Sequence, residues 1–69
     1  MKALKIIGCT DSMLWYARRV GDIVPYLGDD MDSLGPIYWS RDNGGYKNIV
    51  FQKDAEIMEV DNVDFKQNR

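Results

Sequence analysis

Seven side chains carry most of the chemistry this sequence offers: Trp15, Tyr16, Arg18, Arg19, Tyr38, Trp39 and Tyr46. Aromatic rings beside guanidinium groups are what the energetic centres of protein–protein contacts favour. These seven are the expected contact surface, and a protein of unstated identity is the expected partner. With Tyr26, Phe51 and Phe65 the chain holds 8 aromatic residues in all, more than the core of so short a chain readily accepts. Neighbours on a strand point to opposite faces, so Tyr38 and Trp39 cannot both turn inward on a regular strand. By the same alternation Ile49 and Phe51 share a face opposite Val50. Two roles stay open for the outward rings: they form an interface, or they cap the ends of a thin core.

Catalysis lacks its parts. The chain has no histidine, which excludes Ser–His and Cys–His nucleophilic pairs. One cysteine, Cys9, permits no intramolecular disulfide and, without histidine, no Cys/His zinc site. It reads as a small apolar residue at a strand end. Carboxylates are plentiful, but no spacing singles out an acid and a base. The sequence therefore predicts a non-enzymatic protein with no cofactor. Asp29, Asp30 and Asp32 with Ser33 imitate the opening of a calcium loop, yet its bidentate glutamate and its glycine are missing. The run reads instead as a polar, mobile loop over 28–35 whose charges guard a strand edge, and no metal is expected.

Arg18 and Arg19, with Arg41 and Lys47, make a local basic group beside the rings. Stacking rings with cations suit single-stranded nucleic acid, which is the first alternative. Against it, 9 basic and 11 acidic side chains give a net charge of −2, so no bulk attraction draws the chain to phosphates. The second alternative is a self-associating structural subunit, packed through Val63 and Phe65; a homodimer is compatible with every reading. Apolar runs are only a few residues long and Lys5 interrupts the N-terminal one, so neither a membrane span nor a signal peptide is expected. A cytoplasmic setting follows, in line with the lone cysteine.

The elements that must position these residues are short. Ala3 to Ile7 reads as a first strand, ended by Gly8. Thr10-Asp11-Ser12 is turn chemistry, opening a long loop with a single helical turn that returns at Val20-Gly21-Asp22-Ile23-Val24. Asp22 to Leu27 is a second strand, with Pro25 at an edge or bulge. Pro36 opens a third over Ile37 to Arg41, and Asp42-Asn43-Gly44-Gly45 signals a tight hairpin into a fourth, Tyr46 to Phe51. Gln52 to Ala55 is one helical turn before a last strand, Glu56 to Val60. Five short strands with turns and no long helix point to an all-β chain of 69 residues. The expected division is a barrel over 1–60 and a polar, poorly ordered tail over 61–69.

Ile6-Ile7, Thr10-Asp11-Ser12, Trp15-Tyr16 and Val20-Gly21-Asp22-Ile23-Val24 together resemble the SH3-like small barrel. So do Asn48-Ile49-Val50-Phe51 and the closing run Asp54-Ala55-Glu56-Ile57-Met58-Glu59-Val60. The pattern is similar to the barrel of photosystem I subunit IV and to small uncharacterised barrel proteins of bacteriophages. It covers about residues 3 to 60. Asp22 stands where the photosystem barrel has threonine, and the Ala-Leu-Tyr-Asp-Tyr motif of peptide-binding SH3 domains is absent. The resemblance therefore implies a five-stranded SH3-like barrel with single-turn helical connections, but no proline-rich ligand and no photosystem docking. It also suggests a phage or bacterial accessory protein that docks on another protein and modulates it.

Overall fold

A computed structural model describes residues 1–60; the tail 61–69, with Val63 and Phe65, lies outside the described residues. The chain is all-β, in two antiparallel three-stranded sheets. The first has the order β2 (Ile23–Pro25), β1 (Lys2–Ile6), β6 (Ala55–Glu59). The second has the order β3 (Gly28–Asp32), β4 (Gly35–Arg41), β5 (Lys47–Phe51). A single 3-10 turn, Gln52–Asp54, joins β5 to β6. That is six strands rather than five, and the sheets are not closed into the expected barrel.

The extra strand is β3. Glycine and aspartate are poor strand formers, which is why Gly-Asp-Asp-Met-Asp reads as a loop. Tertiary pairing overrides that preference: Gly28, Asp29, Asp30, Met31 and Asp32 face Trp39, Tyr38, Ile37, Pro36 and Gly35 in unbroken register. Two of the acids also accept side-chain hydrogen bonds, Asp29 from Tyr26 Oη at 2.5 Å and Asp30 from Trp39 Nε1 at 3.0 Å. Only Ser33 and Leu34 remain as the turn.

Alternation on β1 sets the core. Leu4 and Ile6 share a face and meet Val24 on β2 and Ala55 on β6 across the ladders. Tyr16 and Val50 complete one buried cluster with them, and Cys9, Leu14, Trp15, Tyr26 and Tyr38 pack around it. Burying each large side chain contributes roughly 1.5–3 kcal/mol, so a core of this size leaves little margin for error.

The β4–β5 hairpin forms where the sequence places it, with a different turn. Gly45 N–H donates to Asp42 O at 2.9 Å. The positive φ falls on Gly45, at +86°, and Asn43 is not left-handed. This matches a longer hairpin loop with glycine at the position after the turn. Asp42 Oδ1 holds it by accepting from the Gly44 and Tyr46 amides, each at 3.0 Å.

Candidate functional site

The loop between β1 and β2 contains no helix; it is a chain of tight turns. Leu14, Ala17, Arg19 and Asp22 amides donate to the carbonyls of Asp11, Leu14, Tyr16 and Arg19. Asp11 Oδ1 caps the start through the Met13 amide at 2.9 Å. The loop rejoins the sheet where Gly21 N–H reaches Ile6 O at 2.7 Å and Ile6 N–H reaches Asp22 O at 2.9 Å.

Tyr16 was expected on the contact surface and is instead 0% exposed. The physical reason is Asp54, which sits on the 3-10 turn and is itself 5% exposed. Tyr16 Oη donates to Asp54 Oδ2 at 2.6 Å and accepts from the Phe51 amide at 3.2 Å. Thr10 donates to the same carboxylate from its amide at 3.0 Å and its hydroxyl at 2.8 Å. Asp54 O in turn accepts from the Ile7 and Gly8 amides. Burial pushes the Tyr16 phenol well above its ordinary value, and the Asp54 carboxylate beside it adds to the rise. Burial also pushes Asp54 up, but its hydrogen bonds from Tyr16 and Thr10 together outweigh this and hold it below the usual carboxylate value.

Trp15 and Arg19 form a second tie. The half-buried Trp15 donates from Nε1 to Ile49 O at 2.7 Å and packs edge-on to Tyr16, ring centroids 5.4 Å apart. Arg19 lies over the Trp15 ring, 5.9 Å from its centroid, pairs with Asp22 at 3.0 Å and bonds Asn43 Oδ1 at 3.0 Å. Asn43 Nδ2 returns to Trp15 O at 3.3 Å. These two side chains anchor the loop on the β4–β5 hairpin. Arg18, next to them, is exposed.

The aromatics on β4 divide as alternation requires. Tyr38 faces Val50 and is half-buried, edge-on to Tyr26 at 5.8 Å. Trp39 lies on the opposite face beside Ile49, with Ile37 beside Phe51 in the next row. Ile37 and Phe51 are 2% and 9% exposed, although neither belongs to the main core cluster. Trp39 and Ile49 are half-exposed. Lys47 Nζ stands 4.8 Å from the Trp39 ring centroid, within cation–π range. On the other side of the indole, Asp30 accepts its N–H. That bond first, then the Met31 amide, holds the Asp30 carboxyl below its usual value against a small opposing effect of burial, and the Lys47 charge adds to the lowering. Tyr46, at the hairpin tip, is 75% exposed.

The seven residues therefore fall into three groups. Tyr16 and Tyr38 serve the interior, Trp15 and Arg19 fasten the loop, and Trp39, Arg18 and Tyr46 remain for the surface. The structure adds Ile49 beside Trp39, with Ile37 and Phe51 buried in the next row of the same face, and the bond from Trp39 to Asp30, a residue the sequence singles out only for its charge. A shallow depression bounded by Leu34, Pro36, Phe51 and Lys53 continues this face at one end. Among the described residues no three His, Cys, Asp or Glu side chains converge on a metal position, and no helix is long and apolar enough to cross a membrane. No protein-family model, curated protein or solved structure matches the chain.

Proposed function

We propose that the chain is a non-enzymatic, SH3-like binding module that docks a protein partner on the outer face of its β3–β4–β5 sheet, around Trp39. The long first loop, the β4–β5 hairpin and the 3-10 turn before the last strand support the SH3-like assignment. The docking reading rests on one observation: the half-exposed Trp39 and Ile49 form a cross-strand pair on the face turned away from Val50, in the row next to the buried Ile37 and Phe51. Such a patch, rimmed by Arg41, Lys47 and Lys53, has the apolar centre and charged margin of an interface.

The test is affinity capture from the native source followed by mass spectrometry, with wild-type protein, Trp39→Ala and Lys47→Glu. A partner held by the wild type and lost by both folded variants carries the reading; one held equally by all three refutes it. A ring beside a cation, Trp39 with Lys47, also suits a stacked base and its phosphate, but Asp30 on the same face opposes phosphate. Retention on oligonucleotides that falls steeply with salt would favour that second reading.

A further inference from the structure

Resting on that reading of the face, we propose that its occupant is a second copy of this chain, packed face to face about a two-fold axis parallel to β4. The register sets the face out in rows. Trp39 lies between Gly28 and Ile49, Ile37 between Asp30 and Phe51, and Gly35 beside Asp32. Lys53 follows Phe51 at the open end, and Lys47 stands beside Arg41 at the hairpin end. Acid therefore runs along β3 and base along β5, with the apolar side chains between them. Among the described residues, Arg41, Lys47 and Lys53 have no carboxylate within ion-pair distance.

A heterologous acidic segment would meet Asp30 and Asp32, and a basic one would meet Lys47 and Lys53. A surface that carries both signs on opposite edges is complementary to itself, which is the condition for an isologous contact. The charges also choose the axis. A two-fold perpendicular to the strands would lay β3 on β3 and bring like charges together. One parallel to β4 lays β3 of each copy over β5 of the other. Asp32 then faces Lys53 of the second copy, Asp30 lies over Phe51 in the next row, and Trp39 meets Trp39 in the row after that. Gly28, with no side chain, leaves room for Ile49 of the second copy. Three strands about 4.8 Å apart and five residues long cover roughly 14 by 17 Å. That is small beside the ~800 Å² per partner of a standard interface, so the dimer is weak.

Sedimentation equilibrium from about 10 µM to 1 mM reads a weak dimer. The wild type shifts from monomer to dimer mass, and about 0.5 M salt weakens the shift by screening the edge pairs. Asp32→Lys alone and Lys53→Asp alone put like charges across the contact, and each stays monomeric. An equimolar mixture of the two regains dimer mass, because each supplies what the other lacks; so does the double variant. A wild type that is monomeric at 1 mM overturns the proposal, as do single variants that dimerise like the wild type. If the wild type is monomeric while Trp39→Ala still abolishes partner capture, the docking face stands and only the second copy falls. If Trp39→Ala changes neither dimerisation nor capture, both fall.

Discussion

Replacing Tyr16 with phenylalanine removes one oxygen and leaves the ring that fills the core. That oxygen makes two bonds, to Asp54 Oδ2 and from the Phe51 amide. The first is charge-assisted, contributing about 1.5–3 kcal/mol, and the second leaves a buried N–H without an acceptor, costing about 1–3 kcal/mol. Because Asp54 keeps its bonds from Thr10, the low end of each range applies, and the expected loss is about 2–3 kcal/mol. Small domains hold roughly 0.05–0.15 kcal/mol per residue in total, so this is a large fraction of the stability. It corresponds to a fall in melting temperature of about 10–20 °C. Urea denaturation followed by circular dichroism measures it directly, with an unchanged m-value showing that the unfolded state is the same. Alkaline titration gives a second readout. The folded phenol ionises above its ordinary value of 10.0, so its contribution is complete below that pH and is lost as pH climbs toward the folded value. Wild-type stability therefore declines above about pH 10, and Tyr16→Phe lacks that part of the decline. A loss under about 0.5 kcal/mol with identical alkaline limbs would refute the assignment of the buried hydroxyl as a structural tie.

Three further expectations follow from the same geometry. Asp54, held below its ordinary value, contributes fully above about pH 4 and less as pH falls through its folded value; acid titration of Asp54→Asn should show a shallower acid limb than the wild type. Gly45→Ala should cost about 1–2 kcal/mol because its φ of +86° disfavours a side chain, whereas Gly44→Ala crowds the exposed Tyr46 ring, 3.2 Å away, and meets Asp42 Oδ1 at an ordinary 3.6 Å, and should cost less in the same melt. Trp15→Phe removes the donor to Ile49 O, which should lower stability by about 1 kcal/mol and speed hydrogen exchange in residues 12–19.

What the sequence discloses is what local chemistry decides. Asp42 through Gly45 announce the hairpin because turn residues act within four positions, and Gln52 through Asp54 form the helical turn for the same reason. β3 is hidden because its residues resist strand structure alone and adopt it only against β4. Tyr16 is hidden for a different reason. Alternation sorts side chains on strands, but a loop has no such period, and the carboxylate that draws the phenol inward lies 38 residues away. Neighbouring Trp15 looks equivalent in sequence and ends half-buried on β5. Of the seven candidate contact residues, those on β4 could be sorted in principle, since Tyr38 and Trp39 had to part. Those in the loop could not.

The same loop bears on how any partner can bind. β5 is the last strand of its sheet, and a bare edge there would offer backbone groups to any extended segment. Side chains occupy those groups instead: Trp15 Nε1 takes Ile49 O, Asn48 Oδ1 takes the Ile49 amide, and Tyr16 Oη takes the Phe51 amide. Strand addition at β5 would have to break all three bonds, two of them made by rings packed on the core. On the proposed reading, recognition on this side of the molecule moves from backbone to side chains, onto the face carrying Trp39 and Ile49. Backbone pairing accepts almost any sequence, whereas a face with acid on one edge and base on the other discriminates between partners. Loosening the loop with Tyr16→Phe should then do more than lower stability: it should uncover the β5 edge and replace the proposed weak, salt-sensitive pairing with aggregation that salt does not disperse. Light scattering of that variant at about 0.5 M salt separates the two behaviours, and a variant that stays as dispersed as the wild type would show that the edge was never the hazard.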